Sequence, residues 1–214
     1  ASGCLGYAVV AGGVMAVIDP LRAFVDRYRA DAAALGVDLT HAVDTHVHAD
    51  HVSGVRALAA ATDPTPVLPR RAVDRGIVDA AAVDTVADGD ALDVGGVAVD
   101  AVALPGHTTG MTGFRVGATD GDVLLTGDSL FLDGVARPDL QEGADPESQA
   151  RTLYATLTDR LSEFPADTRI APGHTDAGVE AGPVVARLGD LRGRLAVFGM
   201  DEGAFVDHVT HVGA

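Results

Sequence analysis

The chain has 214 residues, of which 47% are hydrophobic, and a formal net charge of −16 at pH 7. This length and hydrophobic content suffice for one α/β domain with a full core. The acidic charge argues against nucleic acid and acidic membranes as partners, because like charges repel. With no apolar segment of membrane-spanning length and no recognisable signal peptide, the sequence predicts a cytoplasmic protein.

The basic residues indicate adaptation to high salt. All 15 of them are arginine, and lysine does not occur. Salt reduces the self-repulsion of such a surface, since the Debye length falls to about 3 Å at 1 M. The alternative is a GC-rich genome that favours the same amino acids. The single cysteine, Cys4, excludes an internal disulfide and a thiolate zinc cage, which favours a reducing cytoplasm. The chain begins at Ala1 without a methionine, which leaves open that it is a fragment.

In the first third of the chain, the pattern of apolar and turn residues predicts alternating strands and helices. Residues 5–18 read as a hairpin that turns at Gly12-Gly13. Asp19 and Pro20 are then predicted to open a helix that ends at Gly36. A strand over 39–43 and a helix over 52–61 follow.

The remaining elements alternate in the same way. Three prolines break the segment 64–90, where only a short helix over 70–82 is predicted. The later predictions are strands over 91–104 with a turn at Gly95-Gly96, 114–116, 123–128 and 170–171, and helices over 146–164 and 184–198. The tail after residue 198 has no assigned element. Strands in both halves around intervening helices favour two mixed sheets between helical layers.

The segment Thr45-His46-Val47-His48-Ala49-Asp50-His51 is the densest concentration of potential metal ligands. It contains three of the 8 histidines and one carboxylate. Neutral imidazole and carboxylate bind zinc, iron and manganese. The segment lies between a predicted strand and a predicted helix, at a sheet edge where α/β proteins place their chemistry.

Three later strands also end in a potential ligand preceded by glycine. Glycine lets the main chain approach closely, and the strand end fixes the side chain that follows. The sequence therefore predicts seven metal ligands: His46, His48, Asp50, His51, His107, Asp128 and His174. Thr45 and Thr108 are predicted to orient ligands by hydrogen bonds, the alternative being ordinary hydroxyls at strand ends.

These four motifs resemble, in their order, the metallo-β-lactamase superfamily. The motifs are Thr-His-x-His-x-Asp-His, Gly-His-Thr, Thr-Gly-Asp and Pro-Gly-His. The resemblance implies one α+β domain over residues 1–214, an αββα sandwich of two mixed sheets flanked by helices, with the metal in the cleft between sheet edges. One implied metal position uses His46, His48 and His107, and the second uses Asp50, His51 and His174. Asp128 would bridge them.

Within the superfamily, the stretch Arg137-Pro-Asp139-Leu-Gln141 is similar to the Gly-Arg-x-Asp-x-Gln signature of persulfide dioxygenases, with Ala136 in place of the glycine. The resemblance implies oxidation of a low-molecular-weight thiol persulfide to sulfite and thiol. A mononuclear Fe(II) would be bound by His46 or His48, His107 and Asp128. Arg137 would be a further catalytic residue, or alternatively a partner in a structural salt bridge. The tyrosine that often follows the last histidine in such dioxygenases is absent after His174.

The second hypothesis for the function is a thioester hydrolase similar to glyoxalase II. It would hold one or two zinc ions, with Asp50 orienting the attacking hydroxide. The chain ends too early for the full helical domain that follows in glyoxalase II. The third reading is a non-catalytic, metal-stabilised binding domain, against which the large ligand set argues, because structural sites usually close at four ligands. The resemblance also implies a sulfurtransferase (rhodanese) domain as a partner. The sequence does not determine whether the chain forms a homo-oligomer.

Overall fold

Two β-sheets form the centre of the fold, and helices cover their outer faces. The computed structural model describes six segments of the chain: 3–48, 52–74, 82–119, 121–141, 143–175 and 184–211. The predicted ligands Asp50 and His51 lie outside the described residues.

The first sheet combines an antiparallel hairpin with parallel strands. In spatial order its strands are β1 (Tyr7–Ala11), β2 (Val14–Ile18), β3 (Asp38–Val43), β4 (Thr65–Pro69) and β5 (Asp84–Val86). Strand β1 pairs antiparallel with β2, and β2 to β5 run parallel. The predicted hairpin is confirmed, and both turn glycines, Gly12 and Gly13, have positive φ.

The second sheet is mostly antiparallel. Its strands in chain order are β6 (Ala91–Val94), β7 (Val97–Ala103), β8 (Thr112–Val116), β9 (Val123–Gly127), β10 (Arg169–Pro172) and β11 (Ala186–Arg187), and their spatial order is β11-β10-β9-β8-β7-β6. Only β9 and β10 pair in parallel among the described strands of this sheet. The strands predicted within 91–104, 114–116, 123–128 and 170–171 are confirmed.

The helices cover the outer faces of both sheets. They are α1 (Val25–Leu35), α2 (Val55–Thr62), α3 (Arg70–Asp74), α4 (Pro146–Ala155), α5 (Leu188–Arg194) and α6 (Glu202–His211). Helix α4 continues through a π-helical segment and a 3-10 turn to Glu163, close to the predicted end at 164. Within the described part of the chain, no helix combines the length and the apolar character that a membrane crossing requires.

One expectation was wrong, and two segments that the sequence left without an assigned element form a strand and a helix. Asp19 does not open a helix: it has a φ of 50°, and α1 begins only at Val25, after a 3-10 turn. The proline-rich segment forms strand β4, which pairs with β3 and β5 although its prolines donate no hydrogen bond. The unassigned tail forms α6, which buries Phe205, Val206 and Val209.

Three buried clusters hold the layers together. Between the sheets, Val43 and Val67 share a cluster with Phe114 and Leu125. On the outer face of the second sheet, α4 to α6 pack through residues such as Leu153. A smaller cluster packs α1 and α2 on the first sheet. Burial of apolar surface on both sides of each sheet explains the αββα sandwich.

The loop after β7 depends on a glycine at position 106. Gly106 has a φ of +137°, and a Cβ there would lie 2.5 Å from the Leu153 Cα of α4. Gly106→Ala is expected to destabilise the protein by about 2–5 kcal/mol, because backbone strain and overpacking add. Urea unfolding measures this. The matched control is Gly96→Ala, which has a positive φ but open space around it. Equal destabilisation by both variants would contradict the close packing of this loop on α4.

Candidate metal centre

Those predicted ligands that the structure describes lie at the carboxyl ends of strands from both sheets. Strands β2 and β3 run parallel, as do β9 and β10, so the residues that follow each pair emerge at the same edge. Asp19 follows β2, the segment 44–48 follows β3, and Asp128 follows β9. His107 and His174 lie shortly after β7 and β10.

His46, His107 and Asp128 form a compact buried group, referred to below as the three-residue group. The Nε2 atoms of His46 and His107 each lie 3.9 Å from Asp128 Oδ2. One ligand atom from each residue lies within 4.8 Å of the others. All three residues are buried. This spacing suits a single metal ion bound between two imidazoles and one carboxylate.

Both imidazoles are oriented through the nitrogen that points away from Asp128. The Thr45 hydroxyl donates its proton to Asp19 Oδ2 at 2.9 Å. The same hydroxyl oxygen lies 2.9 Å from His46 Nδ1 and therefore accepts a hydrogen bond from that nitrogen. His107 Nδ1 donates to the Arg137 carbonyl oxygen at 2.9 Å. In a neutral ring, protonation of Nδ1 would leave the Nε2 lone pair facing Asp128. This arrangement is typical of metal-binding histidines.

The Asp128 carboxylate is enclosed at the base of the group. Burial raises its pKa, while the charges of His107 and His174 act in the opposite direction. A buried carboxylate is costly unless a cation or hydrogen bonds compensate it. A Cβ at Gly173 would lie 2.5 Å from Asp128 Oδ1, so only glycine lets the loop after β10 pass this close.

His48 lies beside this group and faces two further carboxylates. Its ring centroid is 4.1 Å from that of His46, and its Nε2 is 3.1 Å from Asp19 and 3.7 Å from Asp44. Burial alone would lower the pKa of His48, but the charge of Asp19 and the hydrogen bond to it raise the pKa to about 9. Metal binding through Nδ1 would leave these contacts of Nε2 intact.

Asp19 connects the two histidines, and the sequence did not indicate this role. Its carboxylate accepts hydrogen bonds from the Thr45 amide at 2.7 Å, the Thr45 hydroxyl at 2.9 Å and His48 Nε2 at 3.1 Å. Asp19 is therefore bonded to His48 directly and to His46 through Thr45. Asp19 directly follows an apolar strand, but it lacks the preceding glycine that marked the later ligands.

The remaining predicted site residues have different surroundings. His174 Nε2 is 4.0 Å from the Cys4 sulfur, and its charge acts on Asp128. The predicted orienting role of Thr108 has no observed bond, since its hydroxyl is buried without a hydrogen-bond partner among the described residues.

The Arg137 segment borders the three-residue group through its main chain. The Arg137 carbonyl orients His107, while its guanidinium donates to both carboxylate oxygens of Asp139 at 2.9 and 2.6 Å. Gln141 Oε1 accepts from the Thr109 amide at 2.7 Å, which ties this segment to the loop that carries His107. The catalytic role of Arg137 stays a prediction.

Comparison with known proteins finds relatives that are named as enzymes. Persulfide dioxygenase ETHE1 of Homo sapiens is 33% identical over 159 residues, which are 74% of this chain and 58% of that protein. Hydroxyacylglutathione hydrolase of Nitrosococcus oceani is 36% identical over 149 residues, 68% of this chain and 52% of that protein. The chain thus spans less than two thirds of the length of either relative.

Structural comparison agrees with the sequence match. The crystal structure of ETHE1 from Myxococcus xanthus superposes with a TM-score of 0.84 and 30% identity, covering 100% of this chain and 88% of that chain. The family model described as "Metallo-beta-lactamase superfamily" matches residues 2–174. Together with the αββα sandwich and the cluster of histidines and aspartates at its edge, this match shows that the chain belongs to the metallo-β-lactamase superfamily.

Proposed function

We propose that this chain is a metal-dependent dioxygenase that oxidises a low-molecular-weight thiol persulfide to sulfite and thiol. The observation that carries the proposal is the three-residue group, in which two imidazole nitrogens converge on one carboxylate oxygen. Two histidines and one carboxylate with open positions are typical of non-haem Fe(II) oxygenases. The similarity to proteins named persulfide dioxygenase supports the same choice.

The donor set of the group fits the implied metal. Ferrous iron bound there would supply the activation of oxygen. His46 and His107 would offer Nε2 lone pairs, because Thr45 and the Arg137 carbonyl engage the opposite ring nitrogens. The negative charge of Asp128 would balance part of the charge of the ion.

Residues around the group would control access and substrate. His46 and His107 are 1% and 5% exposed, so their burial limits the water around the reacting atoms. Arg137 would contact the substrate at the outer edge of the metal centre. Its carbonyl oxygen orients His107, while 53% of its side chain is exposed to solvent. By the resemblance to the superfamily, Asp50, His51 and His174 would shape a second pocket. A sulfurtransferase in the same salt-rich cytoplasm would supply the persulfide.

The alternative is a hydroxyacyl-thioester hydrolase with a dinuclear zinc site. Two observations favour it: the relative named hydroxyacylglutathione hydrolase, and the proximity of His48 and His174 to the three-residue group. Two metals about 3.5–4 Å apart would require ligands from both predicted positions. The number of metals per chain therefore separates the two activities.

Oxygen uptake tests the proposal. Iron-loaded protein in high salt is given a low-molecular-weight persulfide, and a zinc-loaded sample is given a hydroxyacyl thioester. The proposal predicts oxygen consumption with stoichiometric sulfite and little thioester cleavage. Thioester cleavage with two zinc ions per chain, and no oxygen uptake by the iron-loaded sample, would contradict the proposal and identify the protein as a hydrolase.

A further inference from the structure

Asp44, the residue after β3, is a buried carboxylate that lies with Asp19 next to His48. It is 5% exposed. Its Oδ2 accepts a hydrogen bond from the Ser53 hydroxyl at 2.7 Å. Its Oδ1 has no hydrogen-bond partner among the described residues and lies 3.7 Å from His48 Nε2. Such a buried oxygen is unfavourable unless it has a role.

The bond between Asp44 and Ser53 connects the two ends of the ligand-bearing segment. Asp44 directly precedes residues 45–52, and Ser53 directly follows them. The Asp44 amide is itself bound to the Val67 carbonyl of β4 at 3.1 Å, and the Ser53 hydroxyl accepts from the Val55 amide of α2 at 3.1 Å. The bond therefore joins the end of a central strand to the first turn of a helix.

The other oxygen of Asp44 faces the same ring nitrogen that Asp19 engages. His48 Nε2 thus lies between two carboxylates, at 3.1 Å from Asp19 and 3.7 Å from Asp44. All three side chains are almost fully buried. Carboxylates on the outer nitrogen of a metal-binding imidazole fix the ring and strengthen the nitrogen that faces the metal.

We propose that Asp44 is a positioning residue of the metal centre. One carboxylate oxygen closes the ligand-bearing segment against Ser53, and the other holds the His48 ring in place together with Asp19. The inference rests on the proposed binding of metal at this site and on His48 as one of its ligands, as the sequence predicts. A residue that served the fold alone would not need the charge, because asparagine of the same shape could accept the Ser53 hydrogen bond without a buried charge.

Two variants separate the two contacts. Asp44→Asn keeps an acceptor for Ser53 but removes the charge next to His48, whereas Ser53→Ala removes the closing bond and keeps the charge. The control is Asp31→Asn, which alters an exposed carboxylate paired with Arg27 on α1. Three quantities are measured: zinc affinity by chelator competition, the absorption spectrum of the cobalt-loaded protein, and the melting temperature of the metal-free protein.

The proposal predicts that Asp44→Asn lowers zinc affinity about 10- to 100-fold, the usual effect of removing an outer partner of a ligand. It also predicts a changed cobalt spectrum, no fall in the melting temperature of the metal-free protein, and a weaker loss of affinity in Ser53→Ala. Wild-type affinity and spectrum in both variants would overturn the inference, as would a lower melting temperature without loss of affinity. If the unmodified protein binds no metal, the proposed function itself fails.

Discussion

His107→Ala is expected to abolish metal binding at the three-residue group and with it persulfide-dependent oxygen uptake. His107 supplies one of the two Nε2 atoms that lie 3.9 Å from Asp128 Oδ2, so the variant leaves one imidazole and one carboxylate. Loss of an outer partner alone typically costs about 10- to 100-fold in metal affinity or activity. Loss of the ligand itself should cost more, and we expect at least ~100-fold in both quantities.

Chelator competition and an oxygen electrode measure these two effects. The matched control is His211→Ala, which removes an exposed histidine at the end of α6. The control should keep wild-type affinity and oxygen uptake. If His107→Ala binds iron as the unmodified protein does, the three-residue group is not the metal site.

Asp19→Asn is expected to lower both metal affinity and stability. The carboxylate accepts three hydrogen bonds, two from Thr45 and one from His48. An asparagine amide turns a donor toward one of these donors, so at least one buried partner loses its bond, which costs about 1–3 kcal/mol. Because the same change releases His46 and His48, metal affinity should fall about 10- to 100-fold.

Urea unfolding of the metal-free protein and chelator competition separate the two effects of Asp19→Asn. Asp38→Asn is a suitable control, since Asp38 begins β3 on the same sheet and is exposed. Loss of stability with unchanged metal affinity would show that Asp19 supports the fold alone. That result would contradict its proposed role in orienting the histidines.

The three-residue group could be anticipated from sequence because each member follows an apolar strand. His107 and Asp128 come after a strand and a glycine, and His46 is the third residue after the end of β3. Strand ends at one sheet edge bring such residues together, whatever the connecting segments are. The metal-binding role of the group, and the roles of Asp50, His51 and His174, stay predictions.

Asp19 could not be assigned from its local sequence. An aspartate followed by proline is typical of a helix start, and the predicted helix supplied a sufficient explanation. Its actual role depends on the parallel pairing of β2 with β3, which places Asp19 next to Thr45. The pairing of distant strands is tertiary information, and the hydrogen bonds from Thr45 and His48 cannot be derived from residue spacing.

Strand β4 shows how tertiary pairing can override a local signal. Pro66 and Pro69 lack donors, and the sequence therefore favoured an irregular segment. In the structure, neighbours on both sides and the buried residues Val67 and Leu68 stabilise the strand. Burial between two layers outweighs the missing donors at the two prolines.

The proposed iron site is tested most directly by a crystal structure of the iron-loaded protein with anomalous scattering data. We expect one iron bound by the Nε2 atoms of His46 and His107 and by a carboxylate oxygen of Asp128. Of the two ring nitrogens of His48, Asp19 and Asp44 should then contact only Nε2, which faces away from the iron. An iron coordinated instead by His48 Nε2 together with Asp19 and Asp44 would contradict the proposed site at the three-residue group.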